Sequence, residues 1–289
     1  MKAKNALKAV LALAFAFVMV AALAGCGGQS AEESTSASES GSSAATSEDK
    51  TIVVGASPSP HAEILAAAED VLAEEGWTLE IVEYSDYIQP NVALESGDLD
   101  ANYFQHNQYL ENYNAENGTD LVNAGNIHFE PMTLYAGKTA SVDELPDGAQ
   151  IAVPSDASNE ARALLVLQEQ GIITLAEGAG LEATPNDIVD NPKNVQIVEA
   201  EAAALPRMLE DADMAVINGN YALSSGLDQS LVVATEQNPE AESTYPNVIA
   251  VRAGDENSEK TQALVKALTS DTVRQYIEET YGDAVVACF

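Results

Sequence analysis

The stretch TIVVGASPSPHAEILAAAEDVLAEEGWTLEIVEYS, residues 51–85, carries the pattern from which the rest of the fold can be worked out. Its opening apolar run predicts a buried strand, and the helical spacing of apolar residues that follows ends at Gly76. Alternating apolar and polar residues from Thr78 onward predict a second strand. A strand, a helix and a strand in this order are typical of a parallel, doubly wound α/β sheet.

The alternation of strands and helices continues to the end of the chain. A second series begins near Ser141 with the strand IAVPS, and NVQIVEAE and AVING extend it. Two helices are predicted in SEKTQALVKALTSDTVRQYIEETYG near the C-terminus. We therefore expect two α/β units, with boundaries near residues 136–140 and near residue 245, and no internal repeat of fixed period.

The N-terminal residues have the layout of a secretory signal. Lys2, Lys4 and Lys8 precede the apolar run AVLALAFAFVMVAALAG, which ends in small residues. A transmembrane helix is the competing interpretation, but the run is slightly short and the charge after it is acidic. The tetrapeptide LAGC resembles the lipobox of bacterial lipoproteins, which implies cleavage of residues 1–25 and acylation of the Cys26 thiol with palmitate-like chains.

The segment that follows the signal predicts a tether. Residues 26–50 consist mainly of Ser, Ala, Glu and Gly, without large apolar side chains, which is typical of a disordered linker. Lipid chains on Cys26 would hold the folded part at the extracytoplasmic face of a cell membrane. The other cysteine is Cys288, so an internal disulfide is not expected and the core must supply the stability.

Composition and charge exclude some classes of function. The chain of 289 residues is 46% hydrophobic, which is enough to bury a substantial core. Its net charge is −34, and loss of the three lysines of the signal changes this to −37. Nucleic-acid binding is excluded because neutralising phosphates requires clustered Lys and Arg, and the chain has only 12 basic residues.

The sequence lacks the common motifs of catalysis. It contains no GxSxG, HExxH, GxxxxGK[ST] or CxxC. His61, His106 and His128 are not spaced as metal ligands on one helix face, so we expect no metal site. The GxGxxA match in EGAGLEA follows a helix instead of a strand, which favours a loop. We therefore expect no catalytic residues, and an enzyme is the minority interpretation.

Several polar residues stand near predicted strand ends, where open α/β sheets bind ligands. Arg162 follows the polar run of residues 155–159 and is expected in roughly the first turn of a helix, where it could clamp a carboxylate. A solvent-exposed Arg in a salt bridge is the alternative. Asn218 ends a strand and Asn247 begins one; their amides can both donate and accept hydrogen bonds. A structural role in a turn is the alternative for Asn247, and also for Asn220.

Aromatic residues are concentrated in DANYFQHNQYLENY, residues 100–113. Together with Tyr87, the rings of Phe104, His106 and Tyr109 could line a slot for an apolar ligand side chain. A thioether gains about 0.3–1.5 kcal/mol from each contact with an aromatic ring. The alternative places Phe104 and one tyrosine in the core and leaves the other rings on a helix surface.

Four segments together carry a family resemblance: DLDANYFQH, VPSDASNEARALLVLQ, GLEATPNDIVDNPKNVQIVEAEAAALPR and AVINGNYA. In this order, they closely resemble the methionine-binding lipoproteins of bacterial ABC importers. The resemblance implies an α/β, two-lobed periplasmic-binding-protein fold of type 2 with a ligand cleft between the lobes. It places lobe 1 in residues 51–137 and 246–289 and lobe 2 in residues 138–245. The implied partners are L-methionine, a membrane permease and its ATPase.

The resemblance also implies roles for individual residues. It makes Arg162 the partner of the ligand carboxylate, and Asn218 and Asn247 the contacts of the amino-acid backbone. The walls of the side-chain slot are then Tyr87, Phe104, His106 and Tyr109. No cofactor is implied, and the protein is expected to be a monomer. The loop NAGNIHFEPMTLY departs from the family pattern, so the exact ligand is left open.

Alternatives therefore remain in two classes. Within the same class, the ligand could be D-methionine, a methionine derivative or a methionine-containing dipeptide, because slot depth is not readable from sequence. In a different class, the chain could be a surface hydrolase acting through a carboxylate or His106, or an adhesin.

Overall fold

A computed structural model describes residues 50–289 of the protein. The predicted signal, Cys26 and the tether up to residue 49 lie outside the described residues, so cleavage, lipidation and tethering stay predictions. Among the helices of residues 50–289, none has both the length and the apolar character needed to cross a bilayer.

Strands of the described chain form two main sheets and one small hairpin. They are β1 (Thr51–Ala56), β2 (Thr78–Glu83), β3 (Ala101–His106), β4 (Val122–Phe129), β5 (Thr133–Ala136), β6 (Gln150–Pro154), β7 (Thr174–Leu175), β8 (Ile188–Asp190), β9 (Gln196–Ala200), β10 (Met214–Ile217), β11 (Val232–Thr235), β12 (Asn247–Val251) and β13 (Val286–Ala287). The six-stranded sheet has the order β13-β4-β12-β3-β1-β2, and the five-stranded sheet has the order β11-β5-β10-β6-β9. The hairpin pairs β7 with β8.

Helices cover the faces of these sheets. They are α1 (Glu63–Ala67), α2 (Glu69–Glu74), α3 (Gln89–Ser96), α4 (Asn107–Asn117), α5 (Ala157–Glu169), α6 (Leu205–Met208), α7 (Gly219–Ser224), α8 (Ala241–Thr244), α9 (Glu259–Leu268) and α10 (Asp271–Tyr281). A π-helical turn, Pro58–Ala62, precedes α1. Short 3-10 turns lie at Val142–Glu144, Gly180–Glu182, Pro185–Asp187, Ala202–Ala204, Gln229–Leu231 and Gly282–Ala284.

The expected strand–helix–strand pattern of residues 51–85 is present, with β1 parallel to β2 in register from Thr51 opposite Thr78. The predicted parallel pairing holds for β1 with β2 and β3 and for β6 with β9 and β10, but both sheets also contain antiparallel pairs. β12 runs antiparallel to β3 and β4, and β5 runs antiparallel to β10 and β11. β12 joins the six-stranded sheet only after the chain has returned from the five-stranded one.

Burial follows the position of each strand in its sheet. The central strands β3, β10 and β12 are buried at every residue, as expected for strands covered on both faces. The edge strand β2 instead alternates between exposed and half-buried residues. The core therefore divides mainly into one cluster around the six-stranded sheet and one around the five-stranded sheet.

The chain crosses between the two sheets twice, after β4 and again after β11. Because β5 already pairs with β10, the first change of sheet occurs between Phe129 and Thr133, a few residues before the expected limit of 137. The second falls between Thr235 and Asn247. The lobe boundaries as drawn from the sequence stay a prediction. Two crossings bring the ends of β3, β12 and β10 to the same region of the molecule, where the candidate site lies.

Candidate functional site

A small cavity lies between the two sheets, and all seven predicted ligand-contact residues line it. The six-stranded side contributes Phe104 and His106 from β3 and Asn247 from β12. The five-stranded side contributes Arg162 from α5 and Asn218 from the end of β10. The predicted residues not yet placed are Tyr87 and Tyr109, and the further lining residues are Gln105, Glu130, Asn159, Gly219 and Asn220.

A chain of hydrogen bonds joins the two sides through His106. This residue caps α4: its Nδ1 accepts from the backbone N–H of Tyr109 at 3.0 Å. Nε2 must then carry the proton, and it donates to Asn159 Oδ1 at 3.1 Å. Asn218 Nδ2 donates to the same oxygen at 2.7 Å. This fixes the Asn218 amide and leaves its Oδ1 buried, without a partner among the described residues, on the wall of the cavity.

Arg162 lies in the second turn of α5, slightly later than expected, and only 3% of its surface is exposed. Nε and Nη2 donate to the Glu236 carboxylate at 2.6–3.2 Å, and Nη2 also donates to the Glu130 carbonyl at 2.8 Å. The Tyr245 ring lies 4.3 Å from the guanidinium carbon. The alternative interpretation, a solvent-exposed Arg in a salt bridge, is wrong about the exposure: Arg162 forms a salt bridge with Glu236, but the pair is buried. None of these hydrogen bonds uses Nη1. A ligand would therefore contact the Nη1 edge of the guanidinium, because the N–H groups on the other edge are already bonded.

On the opposite wall, Asn247 is held by a histidine. His61 Nε2 lies 2.9 Å from Asn247 Oδ1 and 3.6 Å from Glu130 Oε1. Glu130 Oε1 in turn lies 2.7 Å from His128 Nε2. All of these side chains are at most 7% exposed. The Asn247 amide therefore belongs to a buried network instead of a surface turn.

Three aromatic rings pack together at one side of the cavity. Ring centres are 5.8 Å apart for Tyr87 and Phe104, 5.6 Å for Tyr87 and Tyr109, and 6.0 Å for Phe104 and Tyr109. The Tyr87 hydroxyl donates to Asn220 Oδ1 at 2.5 Å, which links the two sides of the cavity. Phe104 is also part of the buried interior, so its core and cavity roles coexist.

Burial keeps the histidines of this region uncharged. Desolvation, and then the charge of Arg162, lower the pKa of His106 to about 3. Desolvation outweighs the attraction of Glu130 and lowers the pKa of His61 to about 4. At neutral pH both rings are neutral, and each offers one N–H and one lone pair. The ion pair beside the cavity is that of Arg162 with Glu236.

The fold also groups residues that the sequence does not place together. Among the described residues, His61, His128 and Glu130 have candidate metal-ligand atoms within 4.8 Å of one another. Helix spacing did not reveal them because they come from the turn after β1, from β4 and from the first crossing. Sequence reasoning also missed Asn159, noted only as part of a capping run, and Glu236, which no motif distinguishes from the other acidic residues.

Two mixed sheets joined by two crossings, with a largely buried polar and aromatic cavity between them, define a two-lobed substrate-binding protein of the periplasmic-binding-protein type. The chain belongs to the NlpA lipoprotein family, whose model matches residues 52–289.

Individual relatives agree with this assignment. The chain is 40% identical to the methionine-binding lipoprotein MetQ of Bacillus subtilis (strain 168), with 96% of each chain covered. It is 39% identical to the D-methionine-binding lipoprotein MetQ of Escherichia coli (strain K12), over 81% of this chain and 87% of the relative. A solved nutrient-binding protein from Burkholderia cenocepacia, bound to methionine, is 44% identical with a TM-score of 0.78 and covers 82% of this chain and 100% of its own.

Proposed function

We propose that this protein is a lipid-anchored, extracytoplasmic substrate-binding protein that captures L-methionine and delivers it to an ABC permease and its ATPase. The names of the relatives and the methionine-bound neighbour support this proposal. The observation that carries it is the buried Asn218 Oδ1 on the cavity wall, an acceptor without a partner among the described residues. A buried acceptor of this kind costs about 1–3 kcal/mol until a donor fills it.

The groups around the cavity match the ends of a free amino acid. Asn218 Oδ1 can accept from the ligand ammonium. Asn247, with its Oδ1 directed to His61, has its Nδ2 left to donate to the ligand carboxylate, and the edge of Arg162 that Glu236 does not use adds charge attraction. Because Glu236 already neutralises Arg162, the arrangement suits a zwitterion without net charge.

The ligand side chain would lie among the three rings. Tyr87, Phe104 and Tyr109 offer aromatic faces and edges, which suit a thioether better than a charged or strongly polar group. A ligand that contacts both sheets binds the closed arrangement better than an open one, and it shifts the equilibrium between them by that difference. The closed form would then be presented to the permease.

No catalytic step is part of the proposal. His106, one of the residues through which a hydrolase could act, has both ring nitrogens engaged, by the Tyr109 N–H and by Asn159. A hydrolase would turn over its ligand, and the mechanism proposed here releases methionine unchanged.

The test is calorimetric titration of the chain from residue 27 onward, after unfolding and refolding to remove any ligand carried from expression. L-Methionine is expected to bind one to one, and leucine and glutamine are the matched controls. Parallel titrations with D-methionine and a methionine-containing dipeptide decide the stereochemistry and length of the ligand. A folded, ligand-free sample that binds none of the methionine compounds would contradict the proposal.

A further inference from the structure

The geometry points to a positioning role for His61 and Glu130: they hold the Asn247 amide so that its Nδ2 group faces the ligand carboxylate. Neither residue was singled out as a ligand contact, and His61 does not line the cavity. The inference rests on the proposed function, because methionine supplies the carboxylate.

The proton on His61 can be placed by its neighbours. Nε2 faces two oxygens, Asn247 Oδ1 at 2.9 Å and Glu130 Oε1 at 3.6 Å. An amide oxygen and a carboxylate oxygen only accept, so a proton on Nε2 serves both, whereas a lone pair there would be repelled by both. If the Asn247 amide were flipped, its Nδ2 would donate to His61 Nε2. Nε2 would then have to carry a lone pair beside the Glu130 carboxylate. The carboxylate therefore selects the histidine tautomer, and the tautomer selects the amide orientation.

The His61 ring is neutral in this arrangement, which agrees with its pKa of about 4, lowered mainly by burial. Its Nδ1 is buried and has no hydrogen-bond partner among the described residues. A lone pair at Nδ1 is less costly to leave unpaired than an N–H donor would be, because unpaired buried N–H groups are rarer than unpaired acceptors. This second observation also favours the proton on Nε2.

Glu130 is itself fixed from several sides. His128 Nε2 donates to its Oε1 at 2.7 Å, and the Tyr103 hydroxyl donates to His128 Nδ1. A backbone N–H of Asn220 also reaches the carboxylate. A Cβ placed on Gly219 would come within 2.6 Å of Glu130 Oε2, so the close approach of α7 depends on glycine at that position. Glu130 thus joins the six-stranded side, through its histidines, to α7 on the five-stranded side.

The same three side chains could instead hold a metal ion, since His61, His128 and Glu130 offer nearby ligand atoms. Ligand atoms around one tetrahedral zinc ion lie roughly 3.3 Å apart, from bond lengths near 2.0 Å. The 2.7 Å separation of His128 Nε2 and Glu130 Oε1 is instead that of a hydrogen bond. The arrangement is therefore that of a proton-bearing network, and zinc binding is the outcome that would replace it.

A double-mutant cycle between His61 and Asn247 tests the inference. We expect His61→Ala to weaken L-methionine binding about tenfold, at the upper end of the range for one net hydrogen bond. In an Asn247→Ala background, the same change should weaken binding less than about threefold, because the amide it positions is gone. His61→Gln, whose amide can donate from nearly the place of Nε2, should recover most of the affinity. Thr261→Ala, another buried polar change on the six-stranded side, should leave the affinity unchanged.

Two results of these binding experiments would overturn the inference. One is additivity, with His61→Ala costing the same factor whether or not Asn247 is present; this would make His61 a structural residue. The other is a metal effect, in which a chelator weakens methionine binding by wild type and one equivalent of zinc restores it. Unfolding of each ligand-free variant in urea separates lost affinity from lost folding.

A ligand-independent measurement keeps this inference distinct from the proposed function. In ¹⁵N-labelled ligand-free protein, imidazole nitrogen shifts report which ring nitrogen carries the proton. We expect the Nε2–H tautomer for His61, and the Nδ1–H tautomer would overturn the inference. If wild type fails to bind methionine compounds, the proposed function fails, and the tautomer alone then decides whether His61 orients Asn247.

Discussion

The two walls of the cavity hold a polar lining side chain in place by different interactions. On the five-stranded side, Arg162 carries a full charge that Glu236 compensates in a buried ion pair. On the six-stranded side, His61 orients Asn247 through a hydrogen bond and is itself neutral. Removing one partner of a buried ion pair costs about 3–5 kcal/mol, whereas removing one ordinary hydrogen bond costs about 1 kcal/mol. The first wall should therefore be far less tolerant of substitution than the second.

The largest effect is expected for Arg162→Ala. The substitution removes the charge that we propose attracts the ligand carboxylate, and we expect methionine affinity to fall by more than about a hundredfold, as for a charge-assisted hydrogen bond of about 3 kcal/mol. It also leaves the Glu236 carboxylate buried and unpaired, so the free energy of unfolding should fall by about 3–5 kcal/mol. Calorimetric titration and urea unfolding measure the two losses separately.

A second variant tells the two losses apart. In Arg162→Ala/Glu236→Gln the buried charge is gone, so stability should recover by at least half while methionine binding remains lost. If stability does not recover, the ion pair is not the source of the instability. If binding recovers, Arg162 serves only to neutralise Glu236, and its charge does not contribute to ligand binding.

Acidification should lower the free energy of unfolding, because all three histidines of the chain are buried and neutral. Burial lowers the pKa of His61 to about 4 and the pKa values of His106 and His128 to about 3, from 6.5. The unfolded chain binds more protons in this range, so the stability is present above pH 6.5 and is lost as the pH falls toward 4. At pH 5 each histidine contributes a loss of up to about 2 kcal/mol.

Other buried groups oppose this loss. Burial raises the pKa values of Glu130 and Asp156, so their protonation favours the folded state as the pH falls. We therefore expect a net decrease of a few kcal/mol in the free energy of unfolding between pH 7 and pH 5, measured by urea denaturation. His61→Gln should show a smaller decrease than wild type. A decrease in His61→Gln as large as that in wild type would contradict the buried neutral state of His61.

The sequence predicted the parts of this arrangement that follow local rules. The strand at residues 51–56, the capped helix that holds Arg162, and Asn218 at a strand end all have short-range patterns, and the structure has them at those places. The antiparallel direction of β12 and β5 has no local pattern, because it depends on how the chain crosses between sheets.

The same limit applies to the cavity. Arg162 is recognisable because it is one of few basic residues and follows a helix cap, whereas its partner Glu236 lies 74 positions away among many acids. His61 and Asn247 are 186 positions apart, and only the fold brings them into contact. Sequence therefore predicts which residues line the cavity better than it predicts which residues hold them in place.

The smallest effect is expected for one of the hydrogen bonds that link the two walls directly. The Tyr87 hydroxyl donates to Asn220 Oδ1 at 2.5 Å, from the loop after β2 to α7. Tyr87→Phe keeps the ring and removes this bond, so methionine affinity should fall about fivefold, mostly through faster dissociation, for a net loss near 1 kcal/mol. The Tyr109 hydroxyl donates to the Tyr87 carbonyl and is left intact. Tyr113→Phe, the same chemical change outside the cavity, should leave affinity and dissociation rate unchanged. The alternative outcome is a Tyr87→Phe protein with a lower free energy of unfolding in the absence of ligand and an unchanged affinity. This bond would then stabilise the fold and would not contribute to closure of the two walls over the ligand.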